Sequence, residues 1–231
     1  MVIVEPYAKI LHPDNIAWTF TRDDGIKMLK RVEYYARVSH RSEDAITEDS
    51  YDRLLRSVVL QHGDLSVIEH EKVTVEALVD RGITHEWVRH RIGSYTQEST
   101  RFVNYQKKGG EAKFIAPMEF STATTEDELV YATWLNALEQ CEQAYMQLSK
   151  CGISPQIARS VLPNALASKI IVTFNLRTWR HFFLMRCSKE AHPQMKQVTL
   201  PLLKDFQEKI PILYEDIVPE QRQADMMRLL R

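Results

Sequence analysis

Residues 89–101 read Arg-His-Arg-Ile-Gly-Ser-Tyr-Thr-Gln-Glu-Ser-Thr-Arg. Arg89, Arg91 and Arg101, one imidazole (His90) and a run of hydroxyl and amide side chains share this short stretch, and almost nothing in it could fill a core. Donors concentrated in this way suit an anion, above all phosphate, which a guanidinium can meet with two parallel hydrogen bonds. Arginine clusters also occur as solvated, salt-bridged surface. The flanking sequence favours a site. Residues 71–80 alternate like a half-buried strand, residues 83–88 read as a short apolar helix, and a charge-rich loop at the end of such elements is where α/β-type proteins place ligands.

Other segments present further cations: Arg159, and Arg177 with Arg186. If these converge on the first cluster, ligands of opposite sign must hold them, because like charges in a cleft repel and burial strengthens the repulsion. A nucleotide phosphate together with the pyrophosphate of a dinucleotide would do so. Neither GxGxxG nor GxxxxGK[ST] occurs, and the chain has only seven glycines. Phosphate would therefore be held by side chains rather than by a glycine-rich backbone nest. His62, Glu69, His70, His85 and His90 could be read as metal ligands, but no HExxH or Cys/His set exists, and no metal is expected. Ser94 and Ser99 lie near His90 without a GxSxG elbow. Arg186 could depress the pKa of Cys187, whose helical position nevertheless favours packing.

The elements that must position these residues follow from periodicity. Residues 2–11 read as an opening strand with a turn at Pro13-Asp14-Asn15. Asp23-Asp24 is expected to cap a helix running to Val38, with Ile26, Leu29 and Val32 near helical spacing. A second helix spans 50–60 with Asp49 as its cap and Leu54, Leu55, Val58 and Val59 inward. Residues 61–70 form a polar connector. Val73, Val75, Ala77 and Val79 alternate as a strand, and residues 107–110 suggest a mobile loop. The longest helix covers 125–151, with an apolar stripe from Leu129 to Leu148, Gly152 at its C′ position, and Cys141 and Cys151 as packing residues. Pro155 starts another helix, which carries Arg159. Residues 169–174 are β-branched and read as a strand. Asn175 opens a helix on which Arg177, His181 and, less directly, Arg186 approach one side, while Leu176, Trp179, Phe183 and Leu184 pack. Pro193 opens the last long helix, and the segment from Met226-Met227 suggests a docking helix. Helices with a few strands give an α+β fold.

With 231 residues, one domain over 1–231 is expected. Lys plus Arg number 30 against 31 for Asp plus Glu, so there is no basic excess for general nucleic-acid binding. Three cysteines without CxxC spacing, no basic and apolar leader and no membrane-length apolar run point to a reducing cytoplasm and a soluble chain.

Arg89-His90-Arg91, seven residues and then Ser99 resembles the signature of the flavin-dependent thymidylate synthases. Ala36-Arg37-Val38-Ser39, Ser66-Val67-Ile68-Glu69-His70, Ala158-Arg159-x-x-Leu162-Pro163 and Asn175-x-Arg177 with Arg186 resemble further family segments in the same order, over roughly residues 30–195. The resemblance implies a helix-flanked mixed β-sheet and a homotetramer with shared active sites. It implies conversion of dUMP to dTMP, with methylenetetrahydrofolate as one-carbon donor and NADPH-reduced FAD as hydride source. It implies FAD contacts from Ser66, Arg89, His90, Arg91, Gln97, Asn175, Leu176, Arg177 and His181. For dUMP it implies Glu86, Trp87, Val88 and Arg89 from one subunit, and Gln97, Glu98, Ser99, Thr100 and Arg101 from another, with Arg159. Arg186 would polarise the uracil ring by stabilising negative charge near N3–O4. Ser99 is then a ligand contact, since no base is evident to make it a nucleophile.

The chain departs from the family pattern at several positions. Thr96-Gln97 stands where many relatives have Asn-Glu, Phe102 where they have Tyr, and Glu86 where some have Gln. Asp64 replaces a common histidine, and His181 an asparagine of some members. Gln97 keeps donor and acceptor capacity without charge. A flavin- and nucleotide-binding protein without synthase activity is the alternative these departures leave. An RNA- or nucleotide-binding module is a further one, against which the balanced charge speaks.

Overall fold

The structure, a computed structural model, describes residues 1–107, 111–121 and 125–230. The opening strand divides at Pro6 into β1 (Val2–Ile3) and β2 (Tyr7–Leu11), as expected where a residue without an N–H interrupts a ladder. Helix α1 (Arg22–Val38) follows, then α2 (Ser50–Leu55), which runs into a wider π-type turn over Arg56–Gln61. Next come β3 (Lys72–Asp80), α3 (Arg81–Trp87), β4 (Ser94–Gln97) and β5 (Lys113–Phe114). The second half holds α4 (Thr125–Lys150), α5 (Pro155–Ala158), β6 (Ala167–Asn175), α6 (Leu176–Arg186), α7 (Pro193–Lys209) and α8 (Gln223–Met226). The fold is α+β, as expected. Strands β2-β3-β6-β4 hydrogen-bond in that order, and β1 pairs in parallel with β5, Val2 opposite Lys113. Among the described residues no helix is long and apolar enough to cross a membrane. Of the expected mobile loop, residues 108–110 lie outside the described residues.

The chain folds into two compact units, one of residues 1–7, 77–89 and 96–170, the other of 8–76, 90–95 and 171–231. The first unit has a core of Tyr105, Ala112, Phe114, Leu138, Tyr145, Ala158 and Leu166. Only part of the expected α4 stripe reaches it. Leu138 and Tyr145 are buried, whereas Leu129 is 73% exposed. Cys151 is exposed rather than packed, because the helix ends beside it, with Gly152 at a φ of +80°.

In the second unit Phe174, Trp179, Phe183, Phe206 and Tyr214 form a continuous aromatic core with ring centroids 4.7–5.7 Å apart. Asp23 is not the cap of α1. Thr21 occupies that position, its hydroxyl accepting from the Asp24 N–H at 3.4 Å while the Asp24 carboxylate accepts from the Thr21 N–H at 3.0 Å, a complete capping box. Asp49 likewise precedes α2 but makes no side-chain cap. Helix α1 lies so close to the end of α7 that a Cβ on Gly25 would sit 1.7 Å from the Lys209 carbonyl oxygen. Cys187 is fully buried, donates to the Thr199 carbonyl at 3.4 Å, and burial pushes its thiol up to about 12. Arg186 therefore does not activate it, and its role is packing.

Gly25→Ala should destabilise the protein by roughly 2–3 kcal/mol or more in chemical denaturation, since backbone must move to admit the methyl. Thr21→Ala should cost only about 1 kcal/mol. A thiol reagent at neutral pH should label Cys151 rapidly and leave Cys187 unmodified until the chain unfolds; rapid loss of the Cys187 thiol in the folded state would contradict its burial.

Candidate active site

Helix α6 begins where β6 ends, and its start is fixed three times over. The Asn175 side chain caps it by accepting from the Thr178 N–H at 2.8 Å. The Leu176 N–H donates to the Glu71 carbonyl at 3.0 Å, and the Leu176 carbonyl accepts from the Tyr214 hydroxyl at 3.1 Å. The Glu71 carboxylate is itself pinned by Arg31, through two bonds of 2.8 and 2.7 Å, and by the Tyr35 hydroxyl. Further along, the Trp179 indole donates to the Val73 carbonyl at 2.9 Å. Leu176, Trp179, Phe183 and Leu184 are all buried, as helical spacing requires, which turns Arg177 outward and leaves His181 and Arg186 half-buried. Arg180, which local periodicity does not single out, is only 1% exposed and bonds the Leu213 carbonyl and the Asp216 carboxylate; it is a structural arginine.

Facing this helix in the same unit is the segment 90–95. It can approach β6 because residue 93 is glycine: a Cβ there would lie 2.2 Å from Phe174 Cε1. Together the two segments line a cleft of about 340 Å³ with Arg91, Ile92, Asn175, Arg177, Thr178 and His181, closed on one side by Glu69. Glu69 accepts from Arg177 Nη1 at 2.5 Å, with both side chains about half exposed. Two arginines against one carboxylate leave the cleft cationic. Residues of a motif near position 90 and of another near 177 thus line one cleft, whereas Arg89, Arg101, Arg159 and Arg186 are not among its lining residues.

His90 lies beside this cleft, 4% exposed, among the rings of Phe182, His181 and Phe174 at 4.9, 5.7 and 6.3 Å. Its carbonyl accepts from the Tyr95 hydroxyl at 2.7 Å. Its Nε2 lies 2.9 Å from Arg186 Nε. Burial first, then the charge of Arg186, holds its pKa down at about 3, so the ring is neutral at physiological pH. An arginine only donates, so Nε2 is the acceptor and the proton sits on Nδ1. That Nδ1–H is buried without a protein partner among the described residues. His181 is shifted the same way, by burial and then by Arg186.

The first unit holds a second polar pocket of about 450 Å³, lined by Arg81, Thr100, Gln156, Arg159, Ser160 and Leu162. Arg159 Nη1 donates to Thr100 Oγ1 at 3.1 Å. Arg81 was not among the expected contacts, although a cation placed just after a strand was a usable signal.

The remaining expected site residues are placed less simply. Trp87 is 1% and Leu176 0% exposed, so both side chains belong to the interior. Glu86, Val88 and Ser99 are half-buried, and Arg89 and Arg101 are exposed, Arg101 lying 5.6 Å from the Phe102 ring. The Gln97 amide donates to Thr84 Oγ1 at 2.8 Å and Ser168 Oγ at 3.1 Å, and Glu98 accepts from the Tyr105 hydroxyl at 3.1 Å. Ser66, exposed, donates to Asp64 at 2.7 Å. Among the described residues no group of three or more His, Cys, Asp or Glu side chains could hold a metal ion.

The chain is similar to known proteins. The model of the thymidylate synthase complementing protein family matches residues 26–212. A flavin-dependent thymidylate synthase of Pyrococcus abyssi is 34% identical over 177 residues, 76% of this chain and 70% of its own. Similar proteins of the same name occur in Corynebacterium efficiens, 33% identical over 90% of this chain and 86% of its own, and in Corynebacterium aurimucosum, 37% identical over 88% and 85%. The matched span takes in both the cleft and the second pocket, and the chain therefore belongs to the thymidylate synthase complementing protein family.

Proposed function

We propose that the protein is a flavin-dependent thymidylate synthase that converts dUMP to dTMP, taking its one-carbon unit from methylenetetrahydrofolate and its reducing equivalents from NADPH. The observation that carries this reading is the cleft in which Arg91 meets Asn175, Arg177 and His181, with the neutral His90 beside it. Its donor set fits FAD. Two guanidinium groups suit a pyrophosphate, and the buried Nδ1–H of His90 suits a neutral heteroaromatic acceptor. Arg91, Arg177 and His181 would hold the cofactor, which supplies a hydride when reduced.

Within this reading the chain's own residues divide the labour. Arg159, with Thr100 beside it, grips the nucleotide phosphate, and the neighbouring Arg81 adds charge to the same pocket. Arg186 stabilises negative charge developing on the uracil ring, so the pyrimidine becomes reactive without a cysteine adduct. The inert Cys187 supports that division. Ser99 contacts the nucleotide. Ser66, Arg89, Gln97 and Asn175 complete the flavin site. Glu86, Trp87, Val88, Glu98 and Arg101 complete the dUMP site, Trp87 through its backbone since its side chain is interior, as Leu176 does for the flavin site. The protein works in the cytoplasm as a homotetramer whose sites are completed by neighbouring subunits. The large exposures of Ile92 (86%), Phe102 (81%) and Leu129 (73%) support subunit contacts there.

A flavin- and nucleotide-binding protein without synthase activity is the second reading, favoured by the inward bonding of the Gln97 amide to Thr84 and Ser168. Purified protein should be yellow and should form dTMP from dUMP only when FAD, NADPH and methylenetetrahydrofolate are all present. Turnover by flavin-free protein would contradict the proposal, and bound flavin with normal dUMP affinity but no dTMP would establish the second reading.

A further inference from the structure

The contact between Arg186 Nε and His90 Nε2 joins the two ends of the cleft's framework, one from α6 and one from the segment after α3. The histidine is well held at its end. Aromatic rings pack on it, the Tyr95 hydroxyl fixes its backbone carbonyl, and Gly93 allows the segment to press against Phe174. The arginine is held on its own side by backbone, since the Arg186 carbonyl accepts from Thr199 Oγ1 at 2.9 Å. The guanidinium sits on a long flexible side chain, and a nitrogen acceptor at the root of that group constrains its plane. A carboxylate in the same place would also orient the guanidinium, but it would neutralise the charge that stabilises an electron-rich ring. A neutral imidazole acceptor orients it without itself neutralising the charge.

We propose that His90 is a positioning residue for Arg186, fixed as the Nδ1–H tautomer so that its Nε2 orients the guanidinium that acts on the nucleotide. The inference rests on the synthase reading for the identity of that nucleotide, and on the structure alone for the tautomer and the contact. His90 consequently influences dUMP through Arg186, in addition to any contact of its Nδ1–H with flavin.

The test uses full-length, flavin-loaded protein: wild type, His90→Ala, His90→Gln, Arg186→Ala and the His90→Ala/Arg186→Ala double variant. Flavin content is read from visible absorbance, dUMP affinity from the perturbation of that absorbance, and kcat and KM from dTMP formation. Coupled residues give non-additive losses. Arg186→Ala should lower kcat on the order of a hundredfold. His90→Ala should lose a comparable factor in kcat per bound flavin, and the double variant should be no worse than Arg186→Ala. His90→Gln, which keeps a neutral acceptor, should recover part of the loss. Losses that multiply in the double variant, or flavin-loaded His90→Ala turning over at the wild-type rate, would overturn the proposal.

Nitrogen NMR of histidine-labelled wild type reads the tautomer directly and needs neither a folded variant nor activity. His90 should show a neutral ring protonated on Nδ1, and an Nε2-protonated or charged ring near neutral pH would overturn the inference. Should wild type make no dTMP, the synthase reading fails, while the tautomer and the binding cycle with dUMP still decide the positioning role.

Discussion

A guanidinium group held in a cleft needs an acceptor for its orientation and must keep enough charge to meet a ligand. That constraint organises the structure. Three arginines have identified protein acceptors that differ in kind: a carboxylate for Arg177, a hydroxyl for Arg159 and a neutral imidazole for Arg186. The Arg177–Glu69 pair is about half exposed, where an ion pair is screened and contributes at most about 1 kcal/mol, so a ligand phosphate can compete with it; the Arg159 side chain is exposed while its acceptor Thr100 is buried. The third acceptor is buried among aromatic rings, and it can neither donate back through that nitrogen nor neutralise the arginine. Arg180 shows the opposite case. Almost fully buried and bonded to Asp216 and a carbonyl, it contributes to the interior and not to the cleft.

The scaffold supplies rigidity where these acceptors need it. The start of α6 is tied to the strand next to β6 through Glu71, whose carboxylate is itself fixed by Arg31 and Tyr35. Glycine at position 93 permits a close approach to Phe174 that no other residue would allow. Both devices act on segments that carry cleft residues, so a loss of either would misplace Arg91 or Arg177 without touching a ligand. A site on helix termini and strand ends is more accurately placed than one on a free loop.

Much of this was legible in the sequence. The alternation of β3, the cap at Asn175 and the burial of Leu176, Trp179, Phe183 and Leu184 followed from local periodicity and capping chemistry, which is why they held. Helix caps decided by a residue one or two positions earlier did not: Thr21, not Asp23, closes the box of α1, because the geometry selects the extended residue whose hydroxyl reaches N3. The α4 stripe was read as one wide apolar face, but periodicity says which face is apolar and not what covers it, and Leu129 is exposed. The His90–Arg186 contact was beyond reach, since nothing local encodes a pairing across such a sequence separation. Arg81 went unnoticed because a lone cation at a helix start has a common structural explanation.

The proposed function places FAD and dUMP in two sites, each met by its own arginines. The most direct measurement is equilibrium binding of FAD and dUMP to Arg159→Ala and Arg91→Ala. Loss of a charged hydrogen bond to phosphate should weaken dUMP roughly tenfold or more in Arg159→Ala with FAD retained, and Arg91→Ala should weaken FAD by a similar factor. Unchanged dUMP affinity in Arg159→Ala, or equal loss of both ligands in each variant, would contradict it.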